Sequence, residues 1–322
     1  MNTPFLSICI PTYDRPEYLR ACLLSLASGI SGDDLKKIEI VIADNSDNDL
    51  TENMVSEFRR EFPPIRYIRN EVNIGGPNNL FKVLKEASGK YLWLMGDDDI
   101  VVSKKIKLIL EKLSQADYSA VILNFAQGDG HNPKVIMLNN CLGLKENKIF
   151  HGRRELFAGK EFVNFFALNF MSALIFNRND FLSIRDKAAQ FIGTCYPQSY
   201  IFLFIAALGK PVLRLSEVCV LWRSPEITRR YDTWQKDESD IFNQYIGYVR
   251  YAGEIGFKYD SAYLEESIRF KAINLPYFKK NRWKNSVKNI LAKMGADRVA
   301  VKVIQLFRYL KYALKSYWSH YK

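Results

Sequence analysis

The chain has 322 residues, 48% of them apolar and 14% aromatic, which excludes a disordered segment or a small domain that depends on disulfides. The net charge is +11, yet twelve Lys/Arg against one acid, Asp297, lie between Lys279 and Lys322, and the remainder balances at 34 basic and 34 acidic residues. The cysteines are scattered with no C-x-x-C pair, neither G-x-G-x-x-G nor G-x-x-x-x-G-K-[ST] occurs, and no apolar run reaches the ~18 residues of a membrane span. A zinc ribbon, a dinucleotide-binding Rossmann motif and a P-loop are thereby set aside. The cysteine usage fits a reducing compartment, and no basic or apolar leader stands at the N-terminus, so no signal peptide is expected.

Strands and helices alternate over the first 125 residues. The pattern predicts a strand over Leu6 to Ile10, then a helix from Pro16 to Ala27 with Leu19, Leu23 and Leu26 on one face. A strand is predicted at Ile38 to Ala43, a helix from Thr51 to Phe62 that stops before Pro63-Pro64, and a short strand at Ile65 to Ile68. A helix from Asn79 to Ala87 closes at Gly89. The apolar run from Tyr91 to Met95 reads as a buried strand, Ser103 as the cap of the next helix, and Tyr118 to Phe125 as a fifth strand. Residues 126 to 150 are polar and predict a loop or small hairpin. Beyond them come a helix near Glu161, a strand at Ser172 to Phe176, a helix at Tyr200 to Leu208 and a strand at Val212 to Trp222, and from Asp237 the pattern is helical. Strands separated by helices predict an α/β fold with a largely parallel sheet.

The carboxyl ends of these strands carry the polar residues. Gly96-Asp97-Asp98-Asp99 follows the buried Tyr91 run, and open α/β sheets bind ligands at that edge. Carboxylate oxygens there suit a hard cation, Mg²⁺ or Mn²⁺, and a cation suits a diphosphate. The first strand ends in Pro11-Thr12-Tyr13-Asp14-Arg15, a loop able to offer Tyr13 and backbone groups to a base or ribose. The second ends in Asp44-Asn45-Ser46, where Asp44 is placed to accept from a base. The third leads into Asn73-Ile74-Gly75-Gly76-Pro77-Asn78-Asn79, with glycines that permit close approach and a helix start that suits an anion. Taken one at a time, each is also an ordinary βα loop.

In this order, the Pro11-Thr12-Tyr13-Asp14-Arg15, Asp44-Asn45-Ser46, Asn73-Ile74-Gly75-Gly76 and Gly96-Asp97-Asp98-Asp99 segments resemble family 2 glycosyltransferases of the GT-A fold. Phe191-Ile192-Gly193-Thr194-Cys195-Tyr196-Pro197 further resembles a segment of bacterial O-antigen abequosyltransferases. The resemblance implies a GT-A-type, Rossmann-like sheet flanked by helices. It implies a nucleotide-sugar donor held by Pro11, Thr12, Tyr13, Asp14, Arg15, Asp44, Asn73, Gly75, Gly76, Asn78 and Asp97, with Mn²⁺ or Mg²⁺ on the donor diphosphate. The family shows Asp-x-Asp-Asp after this strand, and here Gly96 stands where the first Asp belongs. Asp98 and Asp99 are the favoured metal ligands; a slide of one residue would make the pair Asp97 and Asp99.

Inverting members carry a general base about eleven residues before a Gly. Counting back from Gly209 reaches Pro197-Gln198, which cannot take a proton. Either another carboxylate serves (Asp180, Glu226 or Asp232), or the reaction retains configuration and the leaving phosphate takes the proton, or the alignment differs here. Tyr196 and Gln198 are then acceptor-binding residues. Past the last strand, Arg223 beside Trp222 is placed to bind the diphosphate.

The expected layout is a glycosyltransferase domain over residues 1–235, with a nucleotide-sugar half at 1–125 and an acceptor half at 126–235, and a basic helical appendage at 236–322. In the appendage, Val299, Val303, Leu306, Phe307, Leu310, Leu314 and Trp318 share one helical face, with Arg298, Lys302, Lys311 and Lys315 opposite. Such a helix suits an anionic membrane surface, or it closes a core with its apolar face. The expectation is a cytoplasmic enzyme, peripheral on the inner face of the membrane, that transfers sugar to a lipid-diphosphate-linked oligosaccharide in surface polysaccharide assembly. No nucleic-acid partner is expected. The alternatives are a nucleotidyltransferase, which lacks its Gly-rich basic loop here, and a nucleic-acid-binding protein that uses the tail.

Overall fold

A computed structural model of the chain describes residues 3–30, 32–59, 62, 64–128, 136–152, 155–156, 168–192 and 197–223. The helix expected near Glu161, the candidate residues Tyr196, Glu226 and Asp232, the region from Asp237 and the amphipathic tail lie outside the described residues.

One ten-stranded sheet dominates the described residues. Its strands are β1 (Leu6–Thr12), β2 (Ile38–Asp44), β3 (Ile65–Arg69), β4 (Tyr91–Leu94), β5 (Ile100–Val101), β6 (Ala120–Gly128), β7 (Ile136–Leu138), β8 (Lys148–Phe150), β9 (Leu174–Asn177) and β10 (Val212–Arg223). The order is β3-β2-β1-β4-β9-β6-β10-β5, with β7 on β6 and β8 on β10. β3, β2, β1 and β4 are mutually parallel, and β10 is parallel to β6. β9 is antiparallel to both its neighbours, and β5 is antiparallel to β10. The sheet is therefore mixed rather than largely parallel. β9 is entered at the edge where β6 leaves, so it must run back along the sheet, and only a parallel return needs a crossover.

The helices set out in full among the described residues are α1 (Pro16–Gly29), α2 (Leu50–Phe58), α3 (Gly76–Glu86), α4 (Lys105–Ser114), α5 (Arg178–Ala189) and α6 (Pro197–Ala206). Every residue of β2 and β4 is buried; β4 is apolar throughout, and the two acids of β2, Glu39 and Asp44, are hydrogen-bonded. α2 stops at Phe58, short of the expected Phe62. The sequence pattern does not call for α5, whose apolar positions are sparse. The structure starts it on Asn177, whose side chain accepts from the N–H groups of Asn179 and Asp180. Ser103 caps nothing: the turn before α4 goes left-handed at Lys104 (φ 65°), which separates Ser103 from the first helical turn. Among the described residues no helix is long and apolar enough to cross a membrane.

Candidate active site

The parallel register sets the ends of β1 and β2 level, Thr12 opposite Asp44, beside the end of β4, where Cys9 lies opposite Leu94. After β4 the chain folds into the turn Gly96–Asp99, closed by the Asp99 N–H donating to the Gly96 carbonyl at 3.2 Å. A side chain at 96 would press on the ends of two carboxylates. A Cβ would sit 2.8 Å from Asp99 Oδ2 and 3.0 Å from Asp98 Oδ1. Two carboxylates thus lie back over the glycine that departs from Asp-x-Asp-Asp.

The three acids have different surroundings. Asp97 is fully buried. Thr12 Oγ1 donates to its Oδ2 at 2.6 Å, and Arg15 donates to its Oδ1 at 2.5 Å while reaching Asp98 Oδ2 at 3.0 Å. Asp98 is the accessible member, its side chain 27% exposed. Asp99 is buried. Its Oδ2 accepts from Ser172 Oγ at 2.5 Å, and its Oδ1 has no hydrogen-bond partner among the described residues. Burial pushes the Asp97 carboxyl up to about 6, with Arg15 opposing and the Asp98 charge adding to the rise. Burial also holds Asp99 well above the usual carboxylate range, with Asp98 adding to the rise and Ser172 and the nearby Arg223 backbone opposing it.

Arg223 reaches this cluster because β5 follows the turn directly and pairs with the end of β10, Ile100 opposite Leu221. Its Nε donates to the Asp98 carbonyl and its Nη2 to the Tyr18 carbonyl. The guanidinium groups of Arg223 and Arg15 stand 5.0 Å and 6.0 Å from the Tyr18 ring centroid. Two cations thus border three acids.

Among the described residues no three His, Cys, Asp or Glu side chains converge as a closed metal cage. A cation carried on a diphosphate does not need one, because Mg²⁺ is commonly held by one or two carboxylates, phosphate oxygens and water. The buried, unpartnered Oδ1 of Asp99 and the accessible carboxylate of Asp98 in the same turn fit that requirement.

The base end is more closed than expected. Asp44 is fully buried. Its Oδ1 accepts from the Ser46 N–H (2.8 Å) and Ser46 Oγ (2.6 Å), and its Oδ2 from Tyr67 OH (2.6 Å). Ser46 Oγ also accepts from the Asp14 N–H. Tyr13 is 44% exposed and presents its ring to solvent. Beneath lies an amide cluster: Asn70 donates to Asn45 and Asn79, and Asn79 donates to the carbonyls of Ala43 and Thr12. It fastens the ends of β1, β2 and β3 to the start of α3. Gly75, at φ 81°, is the N-cap of α3, a conformation that only glycine adopts readily. Asn73 accepts from its N–H, and Asn78 donates to the Ile74 carbonyl, so both asparagines shape the turn. Ser172, Tyr18, Tyr67 and Asn70 escape sequence reasoning, while Asn79 closes the loop motif that the sequence singles out. Only the amides leave a trace there, as polar residues bounding apolar runs.

The structure places one candidate base, Asp180, away from the acidic turn. β9 is antiparallel to β4, with Asn177 opposite Tyr91, so Asp180 stands at the opposite edge of the sheet from the acidic turn. It is paired there with Lys210 at 2.5 Å. Gln198 is buried and donates to the Asn169 carbonyl at 2.8 Å, which makes it a fastening for the start of α6.

An acidic turn beyond a buried strand, on a sheet whose parallel half is joined to a mixed half, defines a GT-A-type glycosyltransferase. The chain belongs to glycosyl transferase family 2, whose model matches residues 7–175, more than half its length. It is 26% identical over 331 residues to the abequosyltransferase RfbV of Salmonella typhimurium, covering 97% of this chain and 96% of that one. It is 29% identical over 113 residues, 35% of each chain, to the GalNAc(5)-diNAcBac-PP-undecaprenol beta-1,3-glucosyltransferase of Campylobacter jejuni. Among solved structures, S. aureus TarS 1-349 superposes with a TM-score of 0.61 at 15% identity, covering 89% of this chain and 80% of that one, and has also been solved with UDP and with UDP-GlcNAc. A mannosyltransferase of Pyrobaculum calidifontis, in complex with GDP-Man and Mn²⁺, superposes at 0.54 with 13% identity, over 98% and 81% of the two chains. The family match does not favour the nucleotidyltransferase and nucleic-acid-binding alternatives.

Proposed function

We propose that this family 2 glycosyltransferase moves a sugar from a nucleoside diphosphate to a hydroxyl of a lipid-diphosphate-linked oligosaccharide in bacterial surface polysaccharide assembly. The observation that carries the donor half is the buried, unpartnered Oδ1 of Asp99 in a turn it shares with the accessible Asp98. Support for the acceptor half comes from a relative along nearly the whole chain that is named an abequosyltransferase, and from another named for a PP-undecaprenol glycan.

Asp98 and Asp99 would hold Mn²⁺ or Mg²⁺. When bound, the cation stabilises charge on the leaving nucleoside diphosphate. Tyr13 offers an exposed ring to the base. Asp44 is the base partner, reached when the Tyr67 hydroxyl turns away from Oδ2. Pro11, Thr12 and Asp14 shape the loop beneath the ribose, Asp97 anchors Thr12 and Arg15, and Asn73, Gly75, Gly76 and Asn78 border the donor at the start of α3. Arg15 and Arg223 set positive charge beside the diphosphate, where fixed cations favour the developing anion. Tyr196 and Gln198 border the acceptor. The proton of the acceptor hydroxyl goes to Glu226 or Asp232, which follow Arg223 closely in sequence, or to the leaving phosphate if configuration is retained. The anomer of the product, read from NMR coupling constants, separates these routes.

A thermal-shift screen of UDP, GDP, CDP and dTDP, each with and without Mn²⁺, tests the donor site. One nucleotide should raise Tm, and do so only with Mn²⁺; a flat response to all four overturns the reading. The basic tail supports attachment to the inner face of the membrane, since each Lys or Arg near an anionic surface contributes about 1 kcal/mol. Salt-sensitive sedimentation with anionic liposomes, lost on removal of residues 296–322, is the expected result.

A further inference from the structure

Ser172 is fully buried in the short 3₁₀ turn Met171–Ala173 that leads into β9, and nothing in its sequence context marks it. Its hydroxyl stands between two parts of the acidic turn. It accepts from the Gly96 N–H at 2.8 Å and donates to Asp99 Oδ2 at 2.5 Å. A serine hydroxyl has one proton. Because the Gly96 N–H is itself a donor, that proton is committed to Asp99. The bond therefore engages Oδ2 and leaves the buried Oδ1 as the oxygen without a hydrogen-bond partner among the described residues.

The main chain of this turn does not depend on the hydroxyl. Trp93 Nε1 donates to the Ser172 carbonyl at 2.9 Å, and the Ala173 N–H donates to the Phe170 carbonyl at 3.0 Å. The side chain is thus spare to the fold of its own segment and is spent on the carboxylate.

We infer that Ser172 is a positioning residue for the cation site, orienting Asp99 so that Oδ1 faces the diphosphate-bound metal. The inference rests on the reading of Asp99 as a metal ligand. Outer-shell partners of metal-binding carboxylates typically change affinity 10–100-fold when removed. Neither neighbouring guanidinium group replaces the hydroxyl. Arg15 is committed to Asp97 and Asp98, and Arg223 to the Asp98 and Tyr18 carbonyls.

The test is titration of the full chain with Mn²⁺ alone, free Mn²⁺ being read by electron paramagnetic resonance, on protein whose folding is verified by thermal melting. Ser172→Ala should weaken Mn²⁺ binding about tenfold, and Ser172→Thr, which keeps Oγ, should retain it within threefold. If Ser172→Ala does not fold, Ser172→Cys takes its place, since a thiol is a weak donor and the same loss is expected. A folded Ser172→Ala or Ser172→Cys protein that binds Mn²⁺ within threefold of the parent, while Asp99→Asn has lost it, overturns the role of Ser172. If Asp99→Asn also binds normally, the underlying assignment of Asp99 fails instead.

Discussion

Arg15 and Asp97 form the tightest charge contact of the acidic turn, 2.5 Å between a partly exposed guanidinium and a carboxylate with no exposed surface. The same guanidinium reaches Asp98 at 3.0 Å. Asp97 is thereby the fully buried, paired member of the three acids, and Asp98 and Asp99 are the proposed metal ligands.

Removing Arg15 strands a buried charge. Arg15→Ala should lower the free energy of unfolding in urea by about 3 kcal/mol, the usual cost of breaking a buried pair from one side. The double variant Arg15→Ala with Asp97→Asn should recover much of that loss. An Arg15→Ala protein as stable as the parent would mean that the pair is already well solvated.

Asp98→Asn and Asp99→Asn should each abolish sugar transfer with the fold intact, measured as product formed from the nucleotide sugar that the thermal-shift screen selects. Near-normal transfer by both variants in the presence of EDTA would show that no metal is needed.

At the base end, Asp44→Ala should raise the donor KM at least tenfold, about 1.4 kcal/mol of binding. Tyr67→Phe, which frees Oδ2, should leave the donor KM unchanged or lower. If Asp44→Ala changes stability and not donor KM, its bonds to Ser46 and Tyr67 are its whole role.

Asp180 pairs with Lys210 away from the acidic turn. Asp180→Asn should leave kcat within twofold and reduce stability by about 1 kcal/mol, the scale of a partly exposed ion pair. A hundredfold loss of kcat in a folded protein would return it to the reaction.

Glu39 ties the amino-terminal ends of β1 and β4 together. Its Oε1 accepts from Ser7 Oγ at 2.6 Å, from the Ser88 N–H and Oγ, and from the Gly89 N–H. Burial works to raise its pKa, but these four donors together outweigh burial and hold it below the ordinary value of 4.5. With the folded value depressed, its contribution is complete above the unfolded value and is lost as pH falls through the folded one. Glu39→Gln should cost about 2 kcal/mol at pH 7, as bonds to a charged acceptor do. The gap between parent and variant should narrow below pH ~4.5. A gap independent of pH would mean that Glu39 carries no charge in the folded protein.

The chain order of short apolar runs, each ending in Asp, Asn or Gly, determined the α/β class and the ligand edge, because strand periodicity and turn chemistry are local properties. Asp98 and Asp99 were legible for the same reason, being adjacent in sequence to the strand that presents them. What depends on pairing between distant segments was not legible. The reversal of β9 decides that Asp180 stands at the edge away from the acidic turn. The pairing of β5 with β10 decides that Arg223 reaches a turn 125 residues away. The burial of Asp44 by Tyr67, and the grip of Ser172 on Asp99 across 73 residues, follow from side chains that meet only once the sheet has closed. Local propensity names the elements and the acids. The three-dimensional pairing of strands decides which oxygen of which acid is left free.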